Sequence, residues 1–223
     1  MTIPEQIKEI KTQLRMAMNG AASQSMRESG LDYRLNFGVE LPRLKTIAAR
    51  FGKNHDLAQA LWKEDIRETK ILATLLQPVE TFYPEIADIW AESIRFGELA
   101  ELACMNLFQH LPYAPRKAFE WMARDEEHVQ QCGFLLAARL LMKGCELNPQ
   151  GTDELTDQAL TAIASPSARL RRAAALALKK YAAQNNAQAQ HVQQALRPLT
   201  AADDEYVRLV ASDILDDICA CNE

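Results

Sequence analysis

Five times along the chain an aliphatic residue (threonine in the first copy) is followed four positions later by a small one. The pairs are Thr69/Ala73, Leu99/Ala103, Val129/Gly133, Leu170/Ala174 and Val207/Ala211. Their leading residues are separated by 30, 30, 41 and 37 positions. Self-similarity at this period, with two helices per unit, marks an α-solenoid of HEAT type, where each unit buries its apolar face only against its neighbours. The small residue lets two helix backbones approach closely. The clearest copies are Leu-Arg-Arg-Ala-Ala-Ala-Leu-Ala-Leu (170–178) and Val-Arg-Leu-Val-Ala-Ser-Asp-Ile-Leu (207–215). An ordinary helical bundle is the competing architecture, and the graded recurrence favours the solenoid.

Apolar residues recur at helical spacing nearly throughout, and no stretch alternates as a strand does. Glycine (8) and proline (9) are too scarce over 223 residues for the many turns of an all-β fold. Start and stop signals divide the chain into helices. Asn19-Gly20 closes a first helix over Glu5 to Met18, Pro42 opens one that Gly52 stops, and Asn54 caps the next. Thr152 is a candidate cap for Asp153 to Ala164, and Asp203 for Glu205 to Cys219. The expected fold is all-α: an α-α superhelix of about twelve helices in five or six pairs, forming a single HEAT-like-repeat domain over 1–223.

Charge is unevenly spread. The chain carries a net −5. Residues 158–202 hold six basic side chains (Arg169, Arg171, Arg172, Lys179, Lys180 and Arg197) and no acid, whereas residues 203–223 hold seven acids and one base. An acid-free basic segment in an acidic protein is a candidate surface for a polyanion. Alternatively, this basic helix pairs with the acidic helix that follows it. In the repeat alignment the two residues after each leader fall on the presented surface: Ala100 and Glu101, Gln130 and Gln131, Arg171 and Arg172, Arg208 and Leu209.

Other function classes find no support. No run approaches ~18 apolar residues, so no membrane span is expected. The polar opening from Met1 to Lys11 lacks a secretory pattern. Five cysteines at irregular spacing are expected as reduced thiols in a cytoplasmic protein. Cys219-Ala220-Cys221 has no second pair or nearby histidine, so no metal site is expected. Asp125-Glu126-Glu127-His128 is read as an acidic helix start that complements the macrodipole. There is no phosphate loop, nucleophile elbow or His-Glu zinc motif. Trp62, Trp90 and Trp121 fall on apolar faces and are expected in the core.

Three segments resemble a known family. They are Phe-Gly-Val-Glu-Leu-Pro-Arg-Leu-Lys-Thr-Ile-Ala (37–48), Asp-Leu-Ala-Gln-Ala-Leu-Trp-Lys-Glu-Asp-Ile-Arg-Glu-Thr-Lys-Ile-Leu-Ala (56–73) and Cys-Met-Asn-Leu-Phe (104–108). They are similar to the bacterial DNA alkylation repair proteins, which are HEAT-like-repeat DNA glycosylases. The resemblance runs from about residue 30 to residue 215. It implies a C-shaped solenoid that cradles duplex DNA and excises cationic N3- or N7-alkylated purines without a cofactor. It also implies a carboxylate that stabilises positive charge developing on the sugar, as in glycoside cleavage. That acid falls on Glu101, three residues before Cys104. The two tryptophans of the family pattern fall at Gly97 and near Leu176, and its arginine at Gln130 or Gln131.

Two functions follow as expectations. The first is a DNA glycosylase with Glu101 as catalytic residue and Arg169, Arg171, Arg172, Lys179 and Lys180 on DNA. The second is a non-catalytic HEAT-repeat module that binds DNA or a protein partner. Both describe a monomer, and neither involves a membrane, a metal or another cofactor.

Overall fold

A computed structural model describes residues 1–220; Cys221 of the C-terminal cysteine pair lies outside the described residues. Among the described residues there are thirteen α-helices and two short 3-10 turns, and no strand. The only extended pairing there is an isolated parallel bridge between Leu35 and Ile66. The chain forms two compact units, Met1–Ala87 and Asp88–Glu223.

The first unit contains α1 (Ile3–Met16), α2 (Gly20–Glu28), α3 (Leu41–Phe51), α4 (His55–Trp62) and α5 (Arg67–Leu76). Helix α1 packs on α3 and α4, and α5 packs on both of those as well. Their shared core includes Ile10, Leu14, Leu44, Leu57, Leu61 and Leu72, each fully buried. Asn19-Gly20 follows the end of α1 but does not cap it. The Asn19 side chain instead accepts a hydrogen bond from Ala22 N, so the same dipeptide starts a second helix.

The connection from α2 to α3 is fixed by buried polar groups. The Glu68 carboxylate accepts from Phe37 N at 3.1 Å and from Val39 N at 3.2 Å, and pairs with Arg67 at 3.0 Å. Arg67 also donates to Val39 O. Both charged side chains are almost fully buried, at 4% and 0% exposure. Gly38, between the two bonded amides, has φ +70°. A Cβ there would lie 2.2 Å from Asn19 O, so the position requires glycine on conformational and steric grounds.

Helix α6 (Pro84–Ser93) begins in the first unit and ends in the second. The second unit continues with α7 (Gly97–Asn106), α8 (Ala114–Met122), α9 (Glu127–Met142), α10 (Pro149–Ile163), α11 (Ala168–Ala182), α12 (Asn186–Leu196) and α13 (Glu205–Ala220). Helices α7, α9, α11 and α13 pack side by side in that order. Helices α8, α10 and α12 form a second layer, with α8 on α9, α10 on α11, and α12 on both α11 and α13. This two-layer stacking of antiparallel pairs is the solenoid arrangement.

The small residues of the repeat sit where expected. Ala73, Ala103, Ala174 and Ala211 are fully buried. Gly133 is buried too, and a Cβ on it would meet Met122 N at 2.5 Å and Ala118 O at 2.8 Å. Glycine is therefore what allows α8 and α9 to cross this closely. Trp62, Trp90 and Trp121 are all core residues. Trp121 Nε1 donates to Asp88 Oδ1, and the same carboxylate receives Lys117 at 2.8 Å. Helix α10 starts earlier than expected because Asn148, not Thr152, supplies its cap by accepting from Gly151 N.

Candidate nucleic-acid interface

Stacking α7, α9, α11 and α13 in register makes equivalent positions of each helix comparable. The first position after each leader holds Ala100, Gln130, Arg171 and Arg208. Ala100 is fully buried, which corrects its expected surface placement. The other three share one task. Gln130 Nε2 donates to Arg124 O, Arg171 Nη1 to Ser165 O and Arg208 Nη1 to Ala202 O. Each side chain reaches back to a carbonyl that the preceding connection leaves without a helical partner, so each closes the corner between two helices. Arg171 thus has a structural partner in the repeat itself.

The second position after each leader holds Glu101, Gln131, Arg172 and Leu209. Glu101 and Arg172 are exposed, and among the described residues neither has a hydrogen-bond or ion-pair partner. Leu209 is 58% exposed. Gln131 is buried, again unlike the expectation, and its amide lies over Gly97: a Cβ on that glycine would sit 3.1 Å from Gln131 Nε2. The place where the family pattern carries its first tryptophan is therefore a glycine covered by an amide. The second place holds Leu176, a 36% exposed aliphatic.

The basic helix α11 divides into engaged and free cations. Lys179 Nζ contacts Asp213 Oδ2 and Asp217 Oδ2, both at 2.6 Å. Burial pulls its pKa down, but the hydrogen bonds and charges of these two carboxylates outweigh this and hold it above its ordinary value. At Lys179, then, the basic helix does pair with the acidic helix after it. Arg169 is exposed and donates to Arg95 O at 3.4 Å. Lys180 is half-buried and, among the described residues, has no partner. Of the predicted set, Arg172 and Lys180 are without a partner among the described residues, and Arg169 keeps its charge exposed on a single carbonyl contact.

Cys104 and Cys132 are fully buried. Burial pushes Cys104 well above the ordinary thiol range, and it pushes Cys132 up to about 12. Three members of the Asp125–His128 run have contacts of their own. Glu126 pairs with Arg124 at 3.0 Å, Glu127 bonds Ser167, and His128 Nε2 is 2.9 Å from Glu92 O. Among the described residues no group of three or more His, Cys, Asp or Glu could hold a metal ion. No helix there is long and apolar enough to cross a membrane.

Tyr206, the residue before the leader of α13, is 64% exposed, and the Arg171 guanidinium carbon lies 5.3 Å from its ring centroid. The signal available is positional: Tyr206 occupies in α13 the place that Arg169 occupies in α11.

A two-layer helical repeat with an uneven row of charge is the class of protein that the fold and this surface define. The chain belongs to the DNA alkylation repair enzyme family, whose model matches residues 10–211. No curated protein matches it in sequence. Among solved structures it is similar to one described as a new family of proteins related to the HEAT-like repeat DNA glycosylases with affinity for branched DNA structures. That likeness has a TM-score of 0.77 at 15% identity and covers 94% of this chain and 93% of that one. It is also similar to Cex1p, with a TM-score of 0.50 at 13% identity, over 98% of this chain and 44% of that one. At these identities both likenesses concern the fold.

Proposed function

We propose that this chain is a DNA-binding member of its family that holds duplex DNA in a concave basic groove, with residues 1–223 acting as one domain. The observation that carries the reading is the exposed cations of α11: Arg169 and Arg172 are exposed, Lys180 is half-exposed, and the helix carries no acid. Cations of this kind bind phosphates and position a duplex without reading its sequence. The solved relative with affinity for branched DNA supports DNA as the ligand class. Binding should weaken steeply with salt as counterions are released. Replacing Arg169, Arg172 and Lys180 with alanine should lower the slope of log affinity against log salt by roughly 0.9 for each phosphate no longer neutralised. An unchanged slope in this variant would place the interface elsewhere.

A second reading, excision of cationic alkylated purines, is favoured by Glu101. Its carboxylate is exposed, has no ion-pair partner among the described residues, and shares its row position with Arg172. A carboxylate so placed is free to stabilise positive charge on a sugar. Against efficient excision stand Gly97 under Gln131 and the aliphatic Leu176, which leave no aromatic at either tryptophan position to hold the nucleotide.

A further inference from the structure

Tyr206 is exposed without a folding reason. Helix α13 is held in the unit by Val207, Ala211, Ile214 and Ile218, all buried. Tyr206, 64% exposed, is not one of these core residues. Its own N–H is bonded to Asp204 Oδ1 at 2.7 Å, which fixes the first turn of the helix. One face of the ring is covered by the Arg171 guanidinium, which is itself anchored on Ser165 O at 2.6 Å. A cation over a tyrosine is stabilised by the ring quadrupole. The remaining surface of the ring is open to solvent, and the exposed Leu209 lies one turn further on.

The charge pattern selects the ligand. Helix α11 offers free cations to phosphates. Beyond it, Asp203 and Glu205 are exposed beside Tyr206, and the single cation of α13, Arg208, is engaged by the carbonyls of Ala202 and Asp203. A nucleic-acid backbone attracted along α11 is therefore repelled at the start of α13 and has to turn away there. What an aromatic ring at such a turning point can take is a flat, uncharged group, and stacking on a ring is how proteins hold unpaired bases regardless of sequence.

We propose that Tyr206, backed by Arg171, is a stacking platform for an unpaired DNA base at the point where the backbone leaves α11. This inference rests on the DNA-binding reading above. It makes DNA with an unpaired or extruded nucleotide, in place of a flush duplex, the preferred ligand.

The test uses the full chain and two probes: a flush duplex, and the same duplex carrying one unpaired 2-aminopurine. The wild type should bind the second about tenfold more tightly, within the range expected for one stacked base, and should change the 2-aminopurine fluorescence. Tyr206→Ala should bring the two affinities together and leave flush-duplex binding unchanged. Tyr206→Phe, which keeps the ring, should retain the preference. Tyr206→Phe should keep the wild-type melting temperature, and Tyr206→Ala should lose only the few degrees that the exposed contact with Arg171 supplies. A wild type that binds both probes equally, or a Tyr206→Ala variant that keeps the preference, overturns the platform while leaving DNA binding intact. A wild type that binds neither probe overturns the DNA-binding reading and the platform with it.

Discussion

The two units of this chain are stabilised by different means. Beside its apolar core, the first has an unrepeated feature: a buried ion pair whose carboxylate binds the backbone of the α2–α3 connection. The second relies on repetition: small residues between helices, and at three of its corners one long polar side chain reaching back to a carbonyl. A unique cluster fails as a whole when one member is removed. A repeat distributes the load, and its copies can be compared. That comparison is what separates Arg171, a corner-closing residue, from Arg172, a free one, although the two are adjacent in sequence.

The contrast is open to mutation. The largest effect is expected at Glu68. Replacing it with alanine leaves the Arg67 guanidinium buried without its partner and removes the acceptor for two amides, and should cost about 3–5 kcal/mol in denaturant unfolding. A loss of under about 1 kcal/mol would show that the first unit is not held by this pair. A smaller loss, about 1–3 kcal/mol, is expected for Gly133→Ala, because α8 and α9 can shift apart to accommodate the methyl group. The smallest difference is the most informative. Arg171→Ala should cost about 1 kcal/mol, a charged hydrogen bond discounted for its partial exposure. Arg172→Ala should stay within about 0.5 kcal/mol of the wild type. Equal costs for the two would erase the distinction between engaged and free cations.

Much of the architecture is legible in the sequence because helical repeats announce themselves locally. The 3.6-residue period, the spaced small residues and most stop signals are all properties of short segments. Helix α2 escapes such a reading because Asn-Gly serves equally as a stop and as a start, and only the Asn19 contact to Ala22 N decides between them. Parts of two segments that carry the family resemblance, Phe37-Gly38-Val39 and Arg67-Glu68, form the fixed connection of the first unit. The candidate site is less legible for the same reason in reverse. Which cations are free depends on partners far along the chain, such as Asp213 and Asp217 on Lys179, and the amide over Gly97 comes from a neighbouring helix. No local pattern reports such contacts.

The most direct measurement follows binding and base release together on one duplex containing 7-methylguanine. The expected result is salt-sensitive binding, with free 7-methylguanine appearing no faster than in the absence of protein, because neither Gly97 nor Leu176 can hold the sugar as an aromatic would. Protein-dependent release of the base, abolished by Glu101→Gln at unchanged affinity, would contradict this and establish the chain as an excising enzyme.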